Sequence, residues 1–289
     1  MRVLVIGESG QLARALQRTM PAEHEVKFWG RAQLDMQCLA EISGKISNYQ
    51  PDCVVNASAY TAVDKAETEG DQAYAVNCEA VKVLGEIAEQ ANFKLIHIST
   101  DFVFDGAKSR PYTPADECGP LGVYGETKLQ GELSLLKACP AACIIRTGWL
   151  YGRAGKNFMT TMLGLMQQGT DLRVVCDQVG TPTSASHLAA IIWKAVGRHQ
   201  SGTFHFSDAG VASWYDFACA IQSQGLSQGL LKSPVKIQPV FSEEYVTAAR
   251  RPNYSVLDSR ELERSLDWKP VHWQQALDGE LIGLREIKQ

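Results

Sequence analysis

The sequence predicts an α/β protein built on a doubly wound parallel sheet, and three observations support that prediction. Short apolar runs alternate with amphipathic stretches through the first 150 residues, as expected of strands linked by covering helices. The runs are nearly all apolar, which is typical of strands buried on both faces. A turn containing Gly7 and Gly10 follows the first run. In such a sheet the ligand cleft lies at the carboxyl ends of the strands.

The alternation assigns the elements in chain order. Helical periodicity is clearest in the third helix, where Val76, Ala80, Val83 and Ile87 recur on one face. The predicted strands are Val3–Ile6, Glu25–Trp29, Cys53–Asn56, Leu95–Ser99 and Ala142–Arg146, and the predicted helices are Leu12–Met20, Leu34–Tyr49, Gln72–Gln90 and Tyr124–Lys137.

The pattern loosens after about residue 150. Val174 to Cys176 predicts a further strand, and His187–Arg198 and Trp214–Ser223 predict helices, with turn-rich links between them. We therefore expect a dinucleotide-binding domain over residues 1–149 and a smaller, partly interleaved substrate lobe over residues 150–289. Some later segments are expected to pack back onto the first domain.

Composition and charge narrow the functional classes. A formal charge of -4 and a pI near 5.9, with no run of Lys or Arg, argue against a nucleic-acid partner. No apolar run reaches the roughly 20 residues of a membrane span, and the opening segment is too short for a signal peptide. The eight cysteines show no metal-ligand spacing, which favours reduced thiols and a cytoplasmic protein.

The first strand runs directly into a turn suited to a dinucleotide, which makes the predicted fold a Rossmann fold. Gly7 permits the tight turn, and Gly10 lets backbone N–H groups approach a pyrophosphate at the start of the helix. Ala13 is small enough for close packing of helix and strand. The second strand ends at Arg31 without an acid for the adenosine ribose. Arg31 therefore either pairs with a 2′-phosphate, which favours NADPH over NADH, or is an exposed loop arginine.

Three residues suggest carbonyl reduction. Tyr124 and Lys128 lie one turn apart on the same helix face, and Thr100 ends a strand that reaches the same cleft. Reducing a ketone needs a hydride from a nicotinamide and a proton for the developing alkoxide. Tyr124 can donate that proton, Lys128 is expected to lower the phenol pKa, and Thr100 can orient the carbonyl. Lys128 can also bond the nicotinamide ribose hydroxyls, so Tyr124 and Lys128 are expected to contact the cofactor as well.

These features resemble the extended short-chain dehydrogenase/reductase family and, within it, the dTDP-4-dehydrorhamnose reductases. The resemblance covers nearly the whole chain, and its most specific segments are Thr61–Glu67 and Asp177–Thr183. The segments that resemble the family are Gly7–Leu12, Val55–Glu67, Ser99–Gly106, Tyr124–Lys128, Arg146–Gly152, Asp177–Thr183 and Arg251–Ser255.

The resemblance implies reduction of the C4 ketone of dTDP-4-dehydro-6-deoxy-L-mannose to dTDP-L-rhamnose, with Tyr124 as proton donor, Lys128 as its partner and Thr100 assisting. It also implies two sets of binding residues. The cofactor would be lined by Gly10, Gln11, Leu12, Asp35, Met36, Ala59, Tyr60 and Thr61, and the sugar nucleotide by Thr100, Asp101 and Trp149. Arg251 either steadies the diphosphate or is a surface arginine.

The chain departs from the family pattern at several positions. Phe102 stands where Tyr is common and Ala13 where Gly is common, while Ala15 and Ser186 replace acids that hold a bridging metal in some relatives. We therefore expect no metal, and either a monomer or a homodimer. Two alternatives remain: a sugar-nucleotide epimerase or dehydratase of the same superfamily, and a regulatory subunit that retains the fold without turnover.

Overall fold

The structure, a computed structural model that describes residues 1–288, is organised around a central sheet of six parallel strands. The strands are β1 (Arg2–Ile6), β2 (Glu25–Trp29), β3 (Cys53–Asn56), β4 (Lys94–Thr100), β5 (Cys143–Thr147), β6 (Leu150–Tyr151), β7 (Leu172–Val175), β8 (Val179–Gly180), β9 (Thr183–Ser184), β10 (Gly202–His205), β11 (Ala212–Ser213) and β12 (Ile237–Val240). The helices are α1 (Gln11–Arg18), α2 (Leu39–Tyr49), α3 (Val63–Ala66), α4 (Gly70–Tyr74), α5 (Ala80–Ala91), α6 (Val123–Ala138), α7 (Phe158–Gln167), α8 (Ala185–Val196), α9 (Trp214–Ser227), α10 (Arg260–Ser265) and α11 (Trp273–Lys288).

The order of the strands in the central sheet is β10-β5-β4-β3-β1-β2. From β1 the chain passes first to β2 on one side and then to β3 on the other, so the order reverses between β1 and β3. Helices cover both faces: α1 and α8 pack on one, and α2, α5 and α6 on the other. The predicted doubly wound fold is confirmed, and its reversal point defines the cleft.

The five predicted strands are all present, but the edge strand β2 differs from the others. Glu25 and Lys27 are exposed while Val26, Phe28 and Trp29 are partly covered, so β2 is not buried on both faces. The central strands β1, β3, β4 and β5 are nearly all buried. A charged edge strand resists pairing with another chain.

Two predicted helices are shorter or interrupted. The second helix begins at Leu39 rather than Leu34, because the chain turns at Gly30 and buries Leu34 and Met36 in a loop. The third predicted helix is broken by a π-helical turn at Ala75–Glu79 between α4 and α5. π-Helical turns of this kind often occur at functional sites.

The chain after residue 150 forms a second core and also returns to the sheet. The second core gathers aromatic and aliphatic side chains of β6, α7, α9 and α11, among them Tyr151, Phe217 and Leu277. The strand β10 pairs with β5 as the sixth strand of the sheet, and α8 packs against α1. The sequence analysis assigned neither β10 nor the helices α7, α10 and α11.

Candidate active site

A cleft of about 600 Å³ opens at the carboxyl ends of β1, β3, β4 and β5. It collects most of the residues that the sequence analysis selected. Those that line it are Gly7, Gly10, Gln11, Leu12, Arg31, Asp35, Met36, Ala59, Thr61, Thr100, Asp101, Tyr124, Lys128 and Trp149. Residues from distant parts of the sequence therefore converge on one groove.

The glycine turn between β1 and α1 forms one end of the cleft. Gly7 has φ +107°, and a Cβ there would lie 3.1 Å from the carbonyl oxygen of Ala57. Gly10 is the N-cap of α1 and contributes no side-chain hydrogen bond, and a Cβ built on it meets no atom within 4 Å. The first N–H groups of α1 thus face open space, a setting suited to the pyrophosphate of a dinucleotide.

Arg31 and Asp35 lie together at the far side of this turn. The Arg31 side chain is 77% exposed, and its Nε lies 3.9 Å from the Asp35 carboxylate. An ion pair this exposed contributes little to stability, so the guanidinium is free to turn toward a ligand. Its position fits the 2′-phosphate that distinguishes NADP from NAD.

The end of β4 brings Thr100 to the start of α6. Thr100 caps a 3-10 turn at Asp101–Val103 by accepting from the Phe102 N–H, and its hydroxyl donates to Asp101 Oδ1 at 3.1 Å. A Cβ on Gly125 would lie 2.2 Å from the Phe102 carbonyl oxygen. Only glycine therefore allows α6 to approach so closely and to place Tyr124 beside the end of β4.

The phenol of Tyr124 is held in its protonated form. Burial raises its pKa to about 12, the Asp101 charge adds to that shift, and a hydrogen bond with Thr100 opposes it. The ring packs edge-on against Phe102, with 5.5 Å between centroids. Lys128 does not contribute to this pKa, contrary to the expectation from spacing alone.

The reason is the direction in which Lys128 points. Its Nζ donates to the Ile98 carbonyl oxygen at 2.7 Å and lies 3.2 Å from His97 Nε2. The side chain is 1% exposed, and burial lowers its pKa to about 8, opposed by the charge of Glu132. Lys128 therefore lies within a network on β4 rather than against the phenol.

The sequence analysis missed His97 as a member of this network and did not assign Asn56 to it. Both residues are buried and sit side by side on β3 and β4, where Asn56 Nδ2 lies 3.0 Å from His97 Nδ1. A polar side chain inside an otherwise apolar strand was the available signal, since such groups need a partner when buried. The sequence could not identify that partner.

Asp101 is the acidic group of the cleft. It is 2% exposed, and burial raises its pKa to about 6 against hydrogen bonds from Ser255 and Thr100. Its Oδ2 has no hydrogen-bond partner among the described residues. A Cβ on Gly148 would collide with this carboxylate at 2.5 Å, so the neighbouring backbone closes over it. Asp101 also lines the cleft, so its Oδ2 can accept a hydrogen bond from a hydroxyl group bound there.

Trp149 also lines the cleft and has a strained backbone conformation. Its φ is +50°, in the left-handed region that large residues rarely adopt. The ring stacks face to face on Trp214 with 3.5 Å between centroids, and a Cβ on Gly180 would enter it at 2.4 Å. The surrounding structure thus fixes one ring orientation at the cleft.

Two selected residues, Tyr60 and Arg251, are not among those that line the cleft. The Tyr60 hydroxyl donates to Glu69 at 2.5 Å, and its backbone pairs with the Asn77 side chain. The Arg251 guanidinium donates to both oxygens of Asp64, at 2.8 and 3.2 Å. Each side chain is therefore engaged with a neighbouring segment.

Two acidic residues of the Thr61–Glu67 segment form hydrogen bonds with segments that lie far away in the sequence. Asp64 accepts from Arg251 and from the Ala249 N–H, whereas Glu67 accepts from the Val123 N–H at 2.9 Å, at the start of α6.

The described residues contain no group of three or more His, Cys, Asp or Glu that could hold a metal ion. Among residues 1–288 no helix has the length and apolar character to cross a bilayer.

The fold and the cleft define a class of protein, the Rossmann-fold oxidoreductases that use NAD or NADP. An open helix start follows the first strand, and a tyrosine and a lysine from one helix share its cleft with a strand-end threonine. More specifically, the chain belongs to the family of the RmlD substrate binding domain, whose model matches residues 1–283.

Individual relatives agree with this family. A dTDP-4-dehydrorhamnose reductase from Sinorhizobium fredii is 39% identical over 283 residues, covering 96% of this chain and 95% of the relative. A probable dTDP-4,6-dihydroxy-2-methyloxan-3-one 4-ketoreductase from Streptomyces antibioticus is 39% identical over 261 residues, covering 89% of this chain and 86% of the relative. The dTDP-4-dehydrorhamnose reductase from Bacillus anthracis, solved in complex with NADP, has a TM-score of 0.92 at 31% identity, with 98% of this chain and 99% of that chain covered.

Proposed function

We propose that the protein reduces the C4 ketone of dTDP-4-dehydro-6-deoxy-L-mannose to dTDP-L-rhamnose at the expense of NADPH. This is the activity for which its relatives are named. The observation that carries the proposal is the shared cleft of Tyr124, Lys128 and Thr100 with the glycine turn. Such convergence is the arrangement that carbonyl reduction requires.

When bound, the dinucleotide supplies the hydride that reduces the ketone carbon. Tyr124 donates its proton to the oxygen of that carbon, and a phenol with a pKa of about 12 is protonated at neutral pH. Thr100 would donate a hydrogen bond to the carbonyl after turning its hydroxyl away from Asp101 Oδ1, its acceptor in this structure. Lys128 lines the same cleft as Tyr124 and would return a proton to it after each turnover.

The cofactor would lie along the glycine turn. Gly10, Gln11 and Leu12 would hold its pyrophosphate through backbone N–H groups beside the tight turn at Gly7, and the open N-cap supports this. Arg31 would bind the 2′-phosphate, which makes NADPH the preferred cofactor and NADH the poorer one. The remaining cofactor contacts would come from Asp35, Met36, Ala59, Tyr60 and Thr61.

The substrate would bind between Asp101 and Trp149. The unpartnered Oδ2 of Asp101 would accept from a sugar hydroxyl, and the fixed ring of Trp149 would pack on the sugar. Arg251 would bind the diphosphate only after releasing Asp64. The relative from Streptomyces antibioticus favours a second candidate, reduction of another dTDP-linked ketosugar by the same residues.

We further infer that residues 1–149 hold the cofactor and that residues 150–289 form the substrate lobe, although Gln289 lies outside the described residues. The separate core around Tyr151 and Phe217 supports this division, while β10 interleaves the two parts. The partner is a sugar nucleotide rather than a nucleic acid, and the active form is a monomer or a homodimer. Eight free thiols favour the reducing cytoplasm.

The test is an assay of nicotinamide absorbance with dTDP-4-dehydro-6-deoxy-L-mannose for the wild type and Tyr124→Phe. The variant should bind NADPH normally yet lose at least about 100-fold in turnover, since it lacks the general acid. Consumption of added NADPH distinguishes a reductase from an epimerase or a dehydratase, which recycle the nicotinamide. Near-normal turnover in Tyr124→Phe would exclude the proposed role of the phenol.

A further inference from the structure

The amide of Asn56 has a fixed orientation. Its Oδ1 accepts from the Ser58 backbone N–H at 3.2 Å and from the Ser58 hydroxyl at 2.7 Å. A backbone N–H can only donate, so the oxygen of the amide must face Ser58. The amide nitrogen is then left facing His97 Nδ1 at 3.0 Å.

This orientation determines which nitrogen of His97 carries the proton. An amide NH₂ can only donate, so Nδ1 must be the acceptor and therefore unprotonated. His97 is 1% exposed, and burial together with the Lys128 charge lowers its pKa well below the ordinary value, which keeps the ring neutral. A neutral ring with a bare Nδ1 carries its single proton on Nε2.

The proton on Nε2 faces Lys128 Nζ across 3.2 Å. An ammonium has three donors and no acceptor, so it would place N–H against N–H. A neutral amine offers one lone pair to the Nε2–H and still donates to the Ile98 carbonyl at 2.7 Å. The charged group nearest to Lys128 along α6 is Glu132, which is itself ion-paired with Arg146 at 2.7 Å. The contact with His97 therefore makes the ammonium form of Lys128 less stable than it would be beside an acceptor.

The geometry points to a role for Asn56 and His97 as positioning residues that destabilise the ammonium form of Lys128 and so ease its release of a proton to Tyr124. This inference rests on the proposed function, because it assigns the groups that regulate the proton return by Lys128. A group that both takes and gives a proton works best when its proton affinity matches the operating pH. Asn56 keeps the proton of His97 on Nε2, and this N–H group faces the Lys128 Nζ.

The direct test is the ¹⁵N spectrum of the histidine rings in the full-length protein at neutral pH, with His97→Gln used to assign the His97 signals. The expected spectrum shows a bare Nδ1 and a protonated Nε2. In Asn56→Asp the carboxylate can only accept, so the proton should move to Nδ1. A protonated Nδ1 in the wild type would overturn the inference, and an unmoved proton in Asn56→Asp would remove Asn56 from it.

The functional test is the pH profile of kcat/KM. In His97→Gln the introduced amide can present its carbonyl oxygen to an ammonium, so the alkaline limb should move up by about one pH unit. His199→Gln, at an exposed position, is the matched control and should leave the limb unchanged. A limb that stays in place in His97→Gln, with only an overall loss of rate, would reduce His97 to a packing role. Reductase activity in the wild type would stand in either case, and the ring spectrum does not depend on it.

Discussion

Burial shifts three ionisable groups of the cleft, Asp101, Tyr124 and Lys128, in the direction of their neutral forms. The pKa of Asp101 is raised to about 6, that of Tyr124 is raised to about 12, and that of Lys128 is lowered to about 8. In each case removal from water is the largest cause, since it disfavours the charged form. A phenol with this pKa is protonated at neutral pH, which is the form that donates a proton.

Asp101→Asn should show the thermodynamic effect of this burial. Asp101 binds a proton more tightly in the folded protein than in the unfolded chain. The stabilisation that this proton provides is complete below the ordinary pKa of 3.8 and is lost as the pH rises through about 6. When the pH is raised from 4.5 to 7.5, the difference in unfolding free energy between the variant and the wild type should therefore change by about 2 kcal/mol in favour of the variant. Urea denaturation at the two pH values measures this gain.

Asp116→Asn is the matched control for that experiment. Its hydrogen bond with Lys108 lowers the pKa of Asp116 to about 2, so its contribution is present above 3.8 and is lost only as pH falls toward 2. The cost of this substitution should be nearly the same at pH 4.5 and pH 7.5. Parallel behaviour of the two variants would contradict a raised pKa for Asp101.

At the scale of elements, close backbone approaches place the catalytic helix. α6 passes so near the π-helical turn that a Cβ on Gly131 would lie 1.9 Å from the Asn77 carbonyl oxygen. Asn77 in turn donates to the Thr127 hydroxyl at 3.1 Å. With Gly125 against Phe102, two glycines on α6 set the depth at which Tyr124 and Lys128 enter the cleft.

Gly125→Ala should displace the start of α6, because the backbone of Phe102 cannot yield as a flexible side chain can. We expect a loss of about 1–3 kcal/mol in stability and a fall of at least about 10-fold in turnover, since misplaced catalytic groups are costly. Chemical denaturation and the NADPH assay measure the two effects.

Gly44→Ala, in the exposed middle of α2, provides the comparison. A Cβ there meets no atom within 4 Å, so alanine should add about 0.5–1 kcal/mol of stability through its better helix propensity. Turnover should not change. If Gly125→Ala also kept wild-type turnover, close approach at Gly125 would not position Tyr124.

At the scale of the whole molecule, a buried acid joins the C-terminal helix to the rest of the chain. Glu280 on α11 is 2% exposed and accepts from Ser184 at 2.7 Å, Ser186 at 2.5 Å and Arg153 Nε at 3.1 Å. Ser184 caps α8, which packs against α1 under the cleft. The contact therefore couples α11 to the cofactor side of the sheet.

Glu280→Ala should cost about 3–5 kcal/mol, because it leaves Arg153 and two buried hydroxyls without their acceptor. Asp278→Ala removes an exposed acid from the same helix, where the partner is Gln228, and should stay within about 0.5 kcal/mol. Urea denaturation of both variants tests the contrast. Equal losses would show that Glu280 does not join the two parts.

Local sequence patterns were sufficient for the first half of the fold and for the central catalytic residues. Four of the five predicted strands are apolar runs and β2 alternates charged and apolar residues, while the turn at Gly7 and the Tyr124–Lys128 pair depend only on short covalent spacing. The second half was harder to predict because β8, β9 and β11 are two residues long and α10 is six. Periodicity carries little information over so few residues.

The sequence by itself determined the doubly wound sheet, the dinucleotide turn and the helix face that bears Tyr124 and Lys128, because backbone conformation follows near-neighbour pattern. Only the tertiary structure decided that Lys128 meets His97, that Arg251 pairs with Asp64 and that β10 completes the sheet. These partners are far apart in the chain. A buried polar group is satisfied by whatever the packing brings within about 3 Å, and local spacing does not specify that neighbour.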